Sequence, residues 1–111
     1  MKGPVEVHVT VDPGICGFSC SIVAVREARR RVRFEIRTEC SQIQTLASTL
    51  AEIDMKDLFS PPGRNPIFTA AERARCHPSC AVPCSLMKAG EVALGLALPK
   101  DAVIGFGKDS P

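Results

Sequence analysis

The apolar residues of this chain change their period once, near residue 40, and that change constrains the fold more than any other feature. Val5, Val7, Val9 and Val11 alternate with Glu6, His8 and Thr10, the period of two that lays one strand face on a core and leaves the other in water. Asp12-Pro13-Gly14 ends the strand. After the loop Ile15-Cys16-Gly17-Phe18, residues 19–25 read as a second strand, with Cys20, Ile22 and Ala24 on one face and Ser21, Val23 and Val25 on the other. A turn follows near residues 28–30. Val32, Phe34 and Ile36 then alternate with Arg31, Arg33, Glu35 and Arg37, so a third strand pairs with the second as a hairpin. From Ser41 the spacing turns helical through Ile43, Leu46, Ala47, Leu50 and Ile53, and Ser41 with Gln44 has the form of a capping box.

Two more helices follow. Asn65-Pro66 supplies an N-cap and a proline at the first helical position, opening a helix that runs towards Arg75. The stretch from Cys76 to Cys84 holds Pro78 and Pro83 and is not continuous helix, because each proline removes a backbone donor. Pro83 is expected to open the last helix, which is apolar around most of its circumference from Leu86 to Leu98 and stops at Pro99. Residues 102–106 read as a last short strand and residues 107–111 as a flexible polar tail. The expected architecture is α+β, an antiparallel sheet of about four strands with three helices packed on one face, in the order β-β-β-α-α-α-β. A chain of 111 residues supports one core, so residues 1–111 are read as a single domain.

The formal net charge of +2 is too small to call for a nucleic-acid partner. The first residues reach Pro4 and Glu6 without building the apolar run of a secretory signal, and the most apolar stretch, residues 81–98, is broken by Lys88 and Glu91. No membrane association is expected, and a cytoplasmic location follows. Six cysteines there stay reduced, which turns attention from disulfides to metal or redox chemistry.

The cysteines fall at element ends: Cys16 and Cys20 around the first loop, Cys40 between the third strand and first helix, and Cys76, Cys80 and Cys84 before the last helix. A helix N-terminus favours a thiolate, and Cys40 and Cys84 are expected to profit from that position. Thiolates with an optional imidazole suit zinc or an iron-sulfur cluster, and His77 is near enough in sequence to contribute. Both repeats are Cys-x-x-x-Cys, so neither the paired knuckles of a zinc finger nor a redox Cys-x-x-Cys is present. Cysteine also fills cores as a small hydrophobe, a role that suits Cys20, beside Ile22 and Ala24, as well as ligation does.

The run Cys16-Gly17, a hairpin, Cys40 leading into a helix, and His77 with Cys80 before a later helix resembles the NifU-type iron-sulfur assembly scaffolds. That resemblance implies Cys16, Cys40 and Cys80 or Cys84 as ligands, with His77 beside them. Phe18 stands where those scaffolds carry an acidic residue. The chain is also similar, across its length, to a small family of prokaryotic proteins recognisable by Pro13-Gly14-Ile15-Cys16-Gly17-Phe18 and His77-Pro78-Ser79-Cys80-Ala81-Val82-Pro83; this likeness implies no activity.

The sequence reading is therefore a metal-binding carrier or scaffold, holding an iron-sulfur cluster or zinc through Cys16, Cys40 and Cys80 with His77 or Cys84 as a fourth ligand, and handing it to a protein partner. It is not read as an enzyme by preference. The competing expectations are a thiol-redox protein or enzyme with a reactive Cys16 or Cys80, and an interaction module built on the arginines of the hairpin, Arg26, Arg29, Arg30, Arg31, Arg33 and Arg37. The stacking aromatics of a single-strand binder do not accompany those arginines, so a solvated edge is their simpler role.

Overall fold

The alternating segments pair as the hairpin pattern requires. In the computed structural model, which describes residues 5–109, they form β1 (Glu6–Val11), β2 (Cys20–Ala28) and β3 (Arg31–Thr38), all antiparallel. Val9 stands opposite Ile22 and Ile22 opposite Ile36; Val7 stands opposite Ala24 and Ala24 opposite Phe34. These residues share the face that the helices cover, while His8, Glu35 and Arg37 look out to water. On the outer face Arg33 donates to both Glu27 and Glu35, which raises the guanidinium's proton affinity and holds the Glu35 carboxyl below its ordinary range.

The fourth strand is a correction. It is β4 (Ile53–Asp54), paired with Arg31 and Val32 at the edge of a sheet ordered β1-β2-β3-β4, and residues 102–106 belong to no strand. Ile53 had been assigned to the first helix, but α1 (Ser41–Thr49) stops four residues earlier. Its last turn is rich in hydroxyls that bond back to the chain: Ser48 Oγ and Thr49 Oγ1 both donate to the Thr45 carbonyl. Leu50 is then extended, which frees Ile53 for the sheet. The start of α1 also differs from the expected box, since the N-cap is Cys40 and Gln44 Nε2 donates to the Thr38 carbonyl instead.

The helical layer holds four α-helices and one 3-10 turn among the described residues, rather than three helices. After α1 come the single turn α2 (Met55–Leu58), capped by an Asp54–Asp57 box, the 3-10 turn Pro62–Arg64, α3 (Pro66–Arg73) and α4 (Ala81–Ala93). Asn65 caps α3 as expected and is almost wholly buried; its Oδ1 accepts from the Ile67 amide while its Nδ2 donates to the Asp57 and Ser60 carbonyls, so no polar atom is stranded.

α4 ends at Ala93, well before Pro99, because Gly95 takes φ +76° and its amide and that of Leu96 return to the Val92 and Glu91 carbonyls. The same closure ends α3, with Arg75 at φ 61° and the Cys76 amide bonded to the Ala71 carbonyl.

α4 lies across β1 and β2, and α1 packs on β3 and α3. Ile22, Val32, Leu46, Ile67 and Leu86 are fully enclosed between the layers. Burying each such aliphatic side chain contributes about 2 kcal/mol. Where α4 comes nearest the sheet, a Cβ on Gly90 would stand 3.3 Å from Phe34 Cζ and from Leu58 Cδ2, so the helix meets Phe34 there with almost no room to spare. No helix among the described residues is long and apolar enough to cross a membrane. Residues 110 and 111 of the expected polar tail, and residues 1–4 of the N-terminal stretch, lie outside the described residues.

Candidate functional site

The strand register gathers the cysteines before any side-chain argument is made. At one end of the sheet Val11 stands opposite Cys20 and Cys20 opposite Thr38. Cys16 lies in the loop joining the first two of these strands, and Cys40 follows Thr38 by two residues. The loop is shaped by its glycines: Gly14 at φ 88° donates to Asp12 Oδ1, and Gly17 at φ 74° donates to the Gly14 carbonyl, leaving Cys16 exposed within that turn. Thr38 fastens the two halves together. Its hydroxyl donates to the Ser19 carbonyl and accepts from the Cys40 amide, tying the start of β2 to the start of α1.

The remaining cysteines arrive from the helical layer. Cys76 follows the closure of α3, a turn from the His77 carbonyl to the Cys80 amide comes next, and Cys80 is the N-cap of α4 with an extended backbone. Two cysteines thus occupy the N-caps of two helices, Cys40 on α1 and Cys80 on α4. The expectation that Cys84 would hold this position is corrected: α4 opens at Ala81, not Pro83, because a proline in the first turn costs no intrahelical bond. Cys84 lies exposed one turn further along.

Burial and mutual charge act on three of the thiols. Burial pushes the Cys20 thiol up to about 11, and charge on Cys80 and Cys40 pushes it the same way. The Cys76 thiol is raised by burial and then by Cys80 and Cys40. Cys80 is raised by burial, drawn down by the Val82 backbone amide, and raised again by Cys40 and Cys16. Cys16, Cys20, Cys40 and Cys76 are thus each within electrostatic reach of Cys80, and they come from the β1–β2 loop, β2, the cap of α1 and the segment before α4. Cys84 is not among the charges that raise Cys20, Cys76 or Cys80. Among the described residues no three His, Cys, Asp or Glu side chains stand in the arrangement that holds a single metal ion.

His77 is exposed, with Nδ1 3.1 Å from Ser79 Oγ. Of the five residues named from the sequence, Cys16, Cys40 and Cys80 are linked electrostatically, while His77 and Cys84 are exposed. Cys20, for which core filling and ligation stood equal in the sequence, and Cys76, which was not named as a ligand, are linked to Cys80 as well. For Cys20 the signal was available, since the start of β2 has to lie level with the end of β3 in a hairpin. For Cys76 it was not, because its place depends on Arg75 adopting a left-handed backbone that nothing in the sequence announces.

No curated protein and no solved structure matches the chain. A family model described as a family of unknown function, DUF6951, matches residues 7–106, a stretch that contains all six cysteines, the four described α-helices and all of the sheet but Glu6. The chain therefore belongs to the DUF6951 family.

Proposed function

We propose that the protein binds a soft metal ion or an iron-sulfur cluster through thiolates drawn from Cys16, Cys20, Cys40 and Cys80, with Cys76 beside them, and acts as a carrier or scaffold rather than as an enzyme. The observation that supports the reading is that thiols from four separate segments lie toward one end of the sheet, within electrostatic reach of Cys80. The donor chemistry fits: clustered sulfurs repel one another's negative charge, and a soft cation is the partner that relieves the repulsion. The group would supply Lewis-acid or electron-storing chemistry when bound. The chain's own part is to present sulfurs on two helix caps and one glycine turn, with Cys40 and Cys80 half-buried against the core and Cys16 exposed.

A thiol-redox role is the weaker reading, because a nucleophilic cysteine needs a depressed pKa and that of Cys80 is raised. An arginine-based interaction surface is weaker too, since Arg33 is already committed to Glu27 and Glu35.

The test is anaerobic purification followed by metal and acid-labile sulfide analysis and an absorbance spectrum, with cobalt(II) titration of the chelator-treated protein. Stoichiometric binding is expected, lost in Cys40→Ser and Cys80→Ser and kept in Cys84→Ser. A protein that takes up neither metal nor cluster, or one in which Cys84→Ser is as damaging as Cys80→Ser, would sink the reading.

A further inference from the structure

Away from the thiols, the segment after α4 combines an unused strand pattern with an unused sheet edge. Residues 102–106, Ala-Val-Ile-Gly-Phe, are β-branched and aromatic, yet Val103, Ile104 and Phe106 are 85%, 89% and 87% exposed. Among the described residues the amides and carbonyls of residues 101–106 make no backbone hydrogen bond. Among the described residues β1 is hydrogen-bonded to β2 alone, which leaves its other edge open. Between β1, α4 and residues 99–104 lies a groove of about 760 Å³, floored by Val7, Val9, Ala89 and Val92 and walled elsewhere by polar residues that include His8, Thr10 and Lys88. Three of these, Val7, Val9 and Val92, remain half-buried, so the core face of the sheet continues into the groove uncovered.

We propose that residues 102–106 of one chain add to the β1 edge of a second copy, while that copy returns its own segment, giving a closed two-fold dimer with a five-stranded sheet in each half. The period of two places Ala102, Ile104 and Phe106 on one face, and that face meets Val7, Val9 and Val92. The segment is its own best occupant because edge and strand belong to one chain, so each copy offers what the other lacks and the exchange closes without leaving a free end. Covering Ala102, Ile104 and Phe106 on both copies, with the surface they meet, removes on the order of 1,200 Å² from water, which reaches the range of specific interfaces. Gly95 and Pro99 set the segment off from α4, the first by its positive φ and the second at the centre of a tight turn in which the Lys100 amide donates to the Leu98 carbonyl.

The test is sedimentation equilibrium of the full chain together with amide hydrogen exchange. A dimer is expected, with slowed exchange at residues 102–106 and along β1. Ile104→Asp and Phe106→Asp should give monomers with unchanged circular dichroism and fast exchange at both places, whereas Phe59→Asp, an exposed aromatic elsewhere, should leave the dimer intact. A monomeric wild-type protein overturns the proposal, whether residues 102–106 exchange freely or are protected against their own chain. So does a dimer indifferent to both tail substitutions.

Discussion

Cys20 shows how much a single atom's surroundings decide. It is the most enclosed of the thiols, 2% exposed, and its pKa rises from 9.0 to about 11, through burial first and the charge of Cys80 and Cys40 second. The folded state therefore keeps a proton that the unfolded chain has already released, so stability is complete below about pH 9 and falls as the pH climbs towards about 11. The loss should be on the order of 2 kcal/mol across that window. Urea unfolding of the reduced, metal-free protein at several pH values measures it, and Cys20→Ala should flatten the slope. An equally steep slope in that variant would assign the effect to another group.

The helix ends are where the elements depart from what their residues announce. Gly95 closes α4 at no steric cost, but Arg75 closes α3 in the same way with a side chain in the left-handed region. Arg75→Gly should therefore raise stability by roughly 1 kcal/mol, since the relief exceeds the extra freedom given to the unfolded chain. Chemical denaturation that shows a loss instead would mean the arginine side chain contributes more than its backbone costs. The three long strands and the Asn65 cap were legible because alternation and capping are local rules. β4 and the early end of α4 were not, because hydroxyl back-bonding at Ser48 and Thr49 and a helix closure at Gly95 cut short patterns whose apolar spacing runs on. Gly90 carries a related lesson: its value lies in a 3.3 Å approach to Phe34. Gly90→Leu should cost about 1–3 kcal/mol by overpacking, read as a lowered unfolding midpoint.

At the scale of the molecule, the sheet is a frame that brings distant cysteines level with one another. Cys16, Cys40 and Cys80 each mark a junction between elements, and those junctions were legible; the place of Cys76 was hidden by a backbone conformation, and Cys84 drew attention through a proline that does not open its helix. If the thiols take up metal as proposed, zinc at about a hundred times its dissociation constant should stabilise the fold by about 2.7 kcal/mol. The gain should shrink as the pH falls, because protons compete for the same sulfurs; a thermal midpoint indifferent to zinc would count against the site. The hydroxyl of Thr38, which holds the start of β2 to the start of α1, has a consequence in time as well as in space. During synthesis, Cys16, Cys20 and Cys40 leave the ribosome and can be assembled by the hairpin while α4 is still unmade. For that interval the nascent chain carries three of the five thiols without the two that follow α3, so an oxidant present then would cross-link the early cysteines and block the site proposed above.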